Sequence, residues 1–357
     1  MLLRTLADEA LRNLCSRWLL ATLVGLVACG VGAGTVLFSA AEVGTIRRTW
    51  DRQVAEGRFV YELRGSGPDG VDSARCDALN AWPAVVAAGG KIRTDSIHPV
   101  TSPGSTYELD HVTTGYLGVI WPGVRAPGPG HVVAGPYASE SLGLRAGTPV
   151  AWETDGATGV SSVVAAVPPR ASLRDESADR HLFATAAPTG AVDRCLVEID
   201  PGHRAAVLAA LGAWFSGDAV HEARSLHDFS RSIDPQAALR ERTSRWTWWG
   251  GAGLIASVTV LSWSFRRADA ALYQLVGVGR ASIAVLVAVD VLVASITPAI
   301  AGVGLALAVR ASALADGLVR SVVLADAARL LATLALLPLL CAGLVLVRSV
   351  FVTLKEA

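Results

Sequence analysis

The sequence predicts a membrane α-helical protein with four transmembrane helices and an α+β extracytoplasmic domain inserted between helices 1 and 2. Three observations carry this. Residues 18–41, 248–265, 283–309 and 327–347 are four long stretches with almost no charge, while residues 42–245 are polar and hold all seven histidines. Charged residues make up only 17% of the 357, against about 25% in an ordinary soluble domain. The mean hydropathy is positive, at +0.44. The formal net charge is zero, and no clustered basic surface of the kind that binds phosphate backbones is written in the chain, which argues against a nucleic-acid partner.

Residues 1–17 read as a cytoplasmic amphipathic helix, with Leu3, Leu6, Ala7, Ala10, Leu11 and Leu14 on one side. Residues 18–41 are the first span, sufficient for a bilayer core of about 30 Å. The rival reading is a cleaved leader ending near Ser39-Ala40-Ala41, against which stands an apolar run longer than a leader's 7–15 residues. From 42 to 245 the chain alternates in short units. Residues 58–64 (RFVYELR) place Phe59, Tyr61 and Leu63 on one face of a strand. Residues 72–88 read as a helix that Pro83 kinks or ends, and 91–100 as a strand. A second strand–helix–strand unit follows at 192–200, 201–215 and 219–226, with a strand-rich insert broken by Gly and Pro between the two. Helical stalks are expected at 42–56 and 234–245. Trp246, Trp248 and Trp249 then stand where a membrane interface is expected. The second span is 248–265, a cytoplasmic helix and turn occupy 266–282, and the third span is 283–309 with Pro298 inside. A short external loop (310–326), the fourth span (327–347, containing Pro338) and a cytoplasmic tail (348–357) complete the chain.

One side of this arrangement collects Arg4, Arg12, Arg17, Arg266, Arg267, Arg280, Arg348 and Lys355. The positive-inside rule makes it cytoplasmic, with both termini there and the chain multi-pass in the plasma membrane. Arg310 and Arg320 run against that assignment. Of five cysteines, only Cys76 and Cys195 fall in the large domain. Each belongs to one strand–helix–strand unit, so a disulfide would staple the two; two buried free thiols are the alternative.

No catalytic constellation stands out. There is no phosphate-binding loop, no G-x-S-x-G and no cysteine array with zinc spacing. His221 and His227 are six positions apart and do not share a helix face, so His221-Glu222 does not make a zinc-protease pair. The chain is expected to be non-catalytic, without metal or cofactor of its own. Asp290 is the one acid of the third span. An intramembrane carboxylate marks function by default, and here either a polar contact between helices or a role in moving parts fits, ahead of a proton relay.

The most informative stretch is RRADAALYQLVGVGRASI, residues 266–283. Leu272, Leu275, Val276 and Gly279 recur at helical spacing on one face, and Gly277 and Gly279 supply the turn that ends the helix. Trapped between two spans, so short a segment lies on the membrane surface and touches a partner. Arg266 and Arg267 precede Asp269, Leu272, Leu275, the corner Gly277-Val278-Gly279-Arg280, Ile283 and Asp290. In order and spacing this resembles the FtsX-like permease family, which includes the MacB-type and lipoprotein-extracting ABC transporter permeases. Here both acids are Asp where the family carries Glu, and Gly279 replaces a small polar residue. Residues 10–17 and 132–150 look similar to further family segments. The topology match covers the whole chain, the specific motif about 25 residues. The resemblance implies that 266–282 is a coupling helix docking on a separate ABC ATPase subunit, which binds ATP and Mg. It implies a second permease copy or paralogue, and work done outside the membrane on a hydrophobic, peptide or lipoprotein cargo. Within the same family, activation of an external cell-wall hydrolase, with an external protein partner, is the alternative. Outside it, a membrane-anchored binding or sensory domain without ATPase remains.

Overall fold

The computed structural model describes residues 12, 18–65, 70–154, 157–215, 223–227, 234–265 and 267–347. The expected helix 1–17 (Arg12 apart), His221, Glu222, Arg266, Arg348 and Lys355 lie outside them. The chain divides into two units, residues 1–50 with 233–357, and residues 51–232.

Helix α1 runs unbroken from Trp18 to Ala55, 38 residues. No proline interrupts it, so the expected span 18–41 and the following stalk are one element. The second unit takes in the last residues of α1 from Asp51 and continues with β1 (Val60–Arg64), β2 (Val71–Asp72) and α2 (Ser73–Ala78). Asp72 caps α2 through the Ala74 and Arg75 amides. The helix expected over 72–88 is short because Pro83 follows, and strand β3 (Val85–Pro99) starts at once. Next come β4 (Tyr107–Val112), α3 (Tyr116–Ile120), β5 (His131–Ala134), α4 (Pro136–Leu142), β6 (Pro149–Thr154), β7 (Ala157–Ala166), β8 (Leu182–Thr185), β9 (Ala191–Val192), β10 (Arg194–Ile199), α5 (Arg204–Trp214) and β11 (Arg224–Ser225).

The nine-stranded sheet has the order β11-β1-β10-β3-β4-β8-β5-β7-β6, and β3 also pairs with β6. Two substructures follow. β10 lies antiparallel between β1 and β3, and β1 lies antiparallel between β10 and β11. The expected strand–helix–strand units are therefore split and interlocked, in the ferredoxin-like manner. Neither unit was legible as split, because strand order is a long-range property. The insert between β3 and β10 is a closed ring, since β3, β4, β8, β5, β7 and β6 pair in turn and β6 returns to β3 through Ile97–Pro99. Closure leaves those strands no free edge.

Three cores match this division. Tyr61, Leu63, Leu79, Val197, Leu211 and Phe215 pack α2 and α5 on one face of β1 and β10. Val60, Leu196, Leu117 and Ile120 pack α3 on the other. Ile97, Leu109, Val132, Val150, Trp152 and Leu182 fill the ring. Cys76 of α2 and Cys195 of β10 are joined by a disulfide, with Cα atoms 6.0 Å apart, and both are fully buried.

The first unit holds α1 and, after residue 233, α6 (Pro235–Glu241), α7 (Thr247–Ser264), α8 (Arg267–Leu275), α9 (Arg280–Val291), α10 (Thr297–Val309), α11 (Gly317–Leu334) and α12 (Leu337–Val347). Among the described residues three helices are long and apolar enough to cross a membrane: Trp18–Ala55, Arg280–Val309 and Gly317–Gly343. The expected second span is helical as α7 but is not one of these; its Trp and Gly residues dilute its hydropathy. Pro298 produces the expected distortion as a π turn, Leu292–Ile296. Its ring cannot coexist with regular bonding to the preceding turn, and the wider turn absorbs it. Pro338 separates α11 from α12. Helix α11 starts ahead of residue 327, where the fourth span was expected to begin: Asp316 caps it through the Leu318 and Val319 amides, so most of the expected loop 310–326 is helix. The stalk 234–245 is also interrupted. Helix α6 stops at Glu241, and Arg242 is extended (φ −52°, ψ 139°) before a 3-10 turn, Thr243–Trp246.

Helices α1 and α10 approach through glycine. A Cβ on Gly32 would stand 2.3 Å from the Ala299 carbonyl oxygen, and one on Gly302 2.1 Å from that of Cys29. Small residues at such crossings let backbones meet where no hydrophobic gain separates protein from lipid.

Candidate functional site

The segment between α7 and α9 is built to present one apolar patch. Helix α8 has nine residues and ends in a Schellman motif. The Gly277 amide donates to the Gln274 carbonyl (3.1 Å) and the Val278 amide to that of Tyr273 (2.9 Å). Gly277 sits at φ 87°, a conformation glycine adopts without Cβ strain. Tyr273 and Val278, the residues that such a motif brings into contact, both pack against the membrane-unit core. Gly279 is extended and caps α9, where the Ser282 and Ile283 amides reach its carbonyl (3.0 and 3.2 Å).

This turn sorts the predicted residues into anchors and surface. Ala271 and Ile283 are buried, at 3% and 2%. Leu272, Leu275 and Val276 are 62%, 62% and 78% exposed. Gly279 and Arg280 are exposed, and Asp269 is half-buried. Arg267 opens α8, and its side chain, like the whole of Arg266, lies outside the described residues. Ile283 therefore holds the turn to the bundle, while Leu272, Leu275 and Val276 are left uncovered by the described residues. Asp290 is not part of this patch: it is buried in α9, near the π turn, where Thr259 and Ser295 share a hydrogen bond of 2.9 Å.

In the sheet unit a second cluster was not singled out by sequence reasoning. His181 Nδ1 bonds Asp110 Oδ2 (2.8 Å), and Nε2 meets Glu108 Oε2 (3.0 Å). Thr94 Oγ1 donates to Asp110 at 2.6 Å, and Lys91 Nζ stands 3.6 Å from it. Burial pushes the Asp110 carboxyl up, but the His181 and Thr94 hydrogen bonds and the Lys91 charge outweigh it and leave it below the ordinary value. Glu108 and His181 border a cleft of about 800 Å³ with Tyr107, Tyr137, Glu176 and Arg180. Glu108, Asp110 and His181 have the composition of a metal site. The two ring nitrogens of His181 point apart, however, and each already faces its own carboxylate, Nδ1 that of Asp110 and Nε2 that of Glu108. The group reads as a hydrogen-bonded charge ladder across β3, β4 and the start of β8. Only strand pairing assembles it, so its signal was absent from the linear spacing.

Sequence reasoning also passed over a buried network in the membrane unit. Asp326 of α11, fully buried, accepts from Arg242 Nη2 (2.8 Å to each oxygen), Ser39 Oγ (2.8 Å) and Arg329 Nη1 (3.0 Å). Glu42 of α1 accepts from the Thr243 and Ser244 amides at 2.9 and 2.7 Å. An acid inside an apolar helix was the available signal, hidden by the placement of Asp326 in a loop.

No protein-family model matches the chain, and no curated protein matches it significantly. Among solved structures, the periplasmic region of MacB from Actinobacillus actinomycetemcomitans is 10% identical with a TM-score of 0.38, covering 55% of this chain and 99% of that one. A domain of a protein from Porphyromonas gingivalis described as a permease is 13% identical with a TM-score of 0.31, covering 52% of this chain and 98% of that one. Likenesses at this level do not by themselves establish a shared fold, and they assign no activity.

Proposed function

We propose that the chain is the permease subunit of an ABC transporter of the mechanical type. In this reading a separate ATPase subunit, which carries ATP and Mg, docks on α8, and the sheet unit does work outside the membrane on a hydrophobic, peptide or lipoprotein cargo. The observation that carries the reading is the α8 turn. A short helix between two apolar helices, pinned by Ala271, Tyr273, Val278 and Ile283, leaves Leu272, Leu275 and Val276 uncovered. Exposed apolar side chains grouped on a fixed element fit a protein partner. The order of residues from Asp269 to Asp290 and the insertion of a large sheet unit into a helical one support the same reading.

Helix α7 is taken as the second of four spans. Its 18 residues extend about 27 Å at 1.5 Å each, and Trp246 and Trp249 at its start are 57% and 56% exposed, as interface anchors are. The α8 side is cytoplasmic, the sheet unit is external, and a second permease copy or paralogue completes the assembly. The test is purification from the native membrane in mild detergent, with mass spectrometry of what accompanies the chain. An ATPase that copurifies and is lost in Leu275→Asp is expected. Its absence, under conditions that keep other membrane complexes intact, would refute the reading and leave a membrane-anchored binding module. An external hydrolase beside the ATPase would move the function to hydrolase activation.

A further inference from the structure

The buried Asp326 network does more than neutralise a charge. Its members come from three segments: Ser39 and Glu42 from α1, Arg242, Thr243 and Ser244 from the connector between α6 and α7, and Asp326 and Arg329 from α11. Residue 50 ends the part of the membrane unit before the sheet unit, and residue 233 begins the part after it. The network thus joins the chain on its way out to the chain on its way back. Arg47 adds a parallel tie, with its Nε 3.2 Å from Asp316 Oδ2 at the start of α11.

The local geometry is arranged for this. Helix α6 is broken at Arg242, which leaves the helical region and sends its side chain to Asp326 with only 10% exposure. The next two amides, freed by that break, are taken by the two oxygens of Glu42. Charges balance locally, with Asp326 and Glu42 against Arg242 and Arg329. A buried ion pair is a poor device for stability alone, since apolar residues of similar volume often serve as well or better. What it supplies is direction: each bond holds one segment at a fixed position against another.

We propose that Asp326, Arg242, Ser39 and Glu42 form a clasp that makes the two connections of the inserted domain, and α11 with them, move as one body. Its mechanical consequence rests on the permease reading above; its existence does not. The experiment uses the full chain in lipid nanodiscs with whatever ATPase copurifies. It compares wild type with Arg242→Met/Asp326→Leu, an apolar replacement that removes the directional bonds of the buried pair and leaves only Arg329, whose side chain is 52% exposed, without its Asp326 partner. The clasp predicts a thermal midpoint within a few degrees of wild type. It also predicts at least tenfold faster amide exchange at Thr243 and Ser244, and at least fivefold lower permease-dependent ATP hydrolysis with the ATPase still bound. Wild-type exchange at those amides would overturn the clasp. Faster exchange with unchanged hydrolysis would overturn its mechanical role. If no ATPase accompanies even the wild type, the permease reading fails and exchange alone decides the clasp. If the double variant does not fold, Arg242→Lys, which keeps the charge and loses the reach to both Asp326 oxygens, is expected to give faster exchange at the same amides; wild-type rates there would refute it.

Discussion

Removing the Cys76–Cys195 bond gives the sharpest test of how the sheet unit is held together. The bond spans 119 residues. In the chain-entropy model a closed loop of that length costs the unfolded chain about 16 cal/mol/K, or about 5 kcal/mol at 25 °C. Both sulfurs are buried in the core formed by α2, α5, β1 and β10, so replacing them by alanine adds a small packing loss to the same side. For a unit of this size each kcal/mol moves the midpoint by about 2–4 °C, so the double variant Cys76→Ala/Cys195→Ala is expected to melt about 10–20 °C lower. The assay is a temperature series of brief trypsin digestion of the full chain in detergent, scored for cleavage within residues 51–232. Cleavage elsewhere serves as the internal control. A shift of less than about 3 °C, or alkylation of both cysteines in the unreduced native protein, would refute the reasoning.

The remaining predictions concern packing and charge. Gly302→Val puts side-chain atoms where the Cys29 carbonyl lies, at 2.1 Å from the first of them; a loss of about 1–3 kcal/mol is expected as an earlier thermal aggregation of the detergent-solubilised chain. Arg174→Met leaves Glu198, whose two oxygens it contacts at 2.7 and 2.8 Å, as an uncompensated buried charge, and about 3–5 kcal/mol should vanish from the sheet unit by pulse proteolysis in urea. Asp110 has its folded pKa depressed, so its contribution is complete above the unfolded value of about 3.9 and is lost as pH falls through the lower folded value. The urea midpoint of the sheet unit should therefore fall below about pH 4, and Asp110→Asn should flatten that fall while lowering the midpoint at neutral pH. In Gly277→Val the left-handed turn after α8 is strained, and if the proposed permease function holds the chain should still insert in the membrane but retain less of the proposed ATPase on purification.

What the sequence determined by itself was what depends on neighbours in the chain. Runs without charge marked three helices that can span a membrane. Alternation at 58–64 marked β1, and Pro298 marked the distortion of the third apolar stretch. The helical spacing of Leu272, Leu275 and Val276 marked α8, but Gly279, read on the same face, lies beyond its end in extended backbone, and Gly277 marked that end. Asp316 and Asp326 both fell within the expected loop 310–326, where the structure has a helix start and a buried helical residue. A capping carboxylate begins a helix, and a carboxylate met by Arg242, Ser39 and Arg329 can sit inside one. Only the tertiary structure decided which strands pair, that β10 separates β1 from β3, and that β3 and β6 close a ring. It alone brought His181 to Asp110 and Arg242 to Asp326 across 71 and 84 residues. Hydrophobic period fixes which face of an element is buried, but its partner is chosen by packing and hydrogen bonds made far along the chain, for which local spacing carries no record.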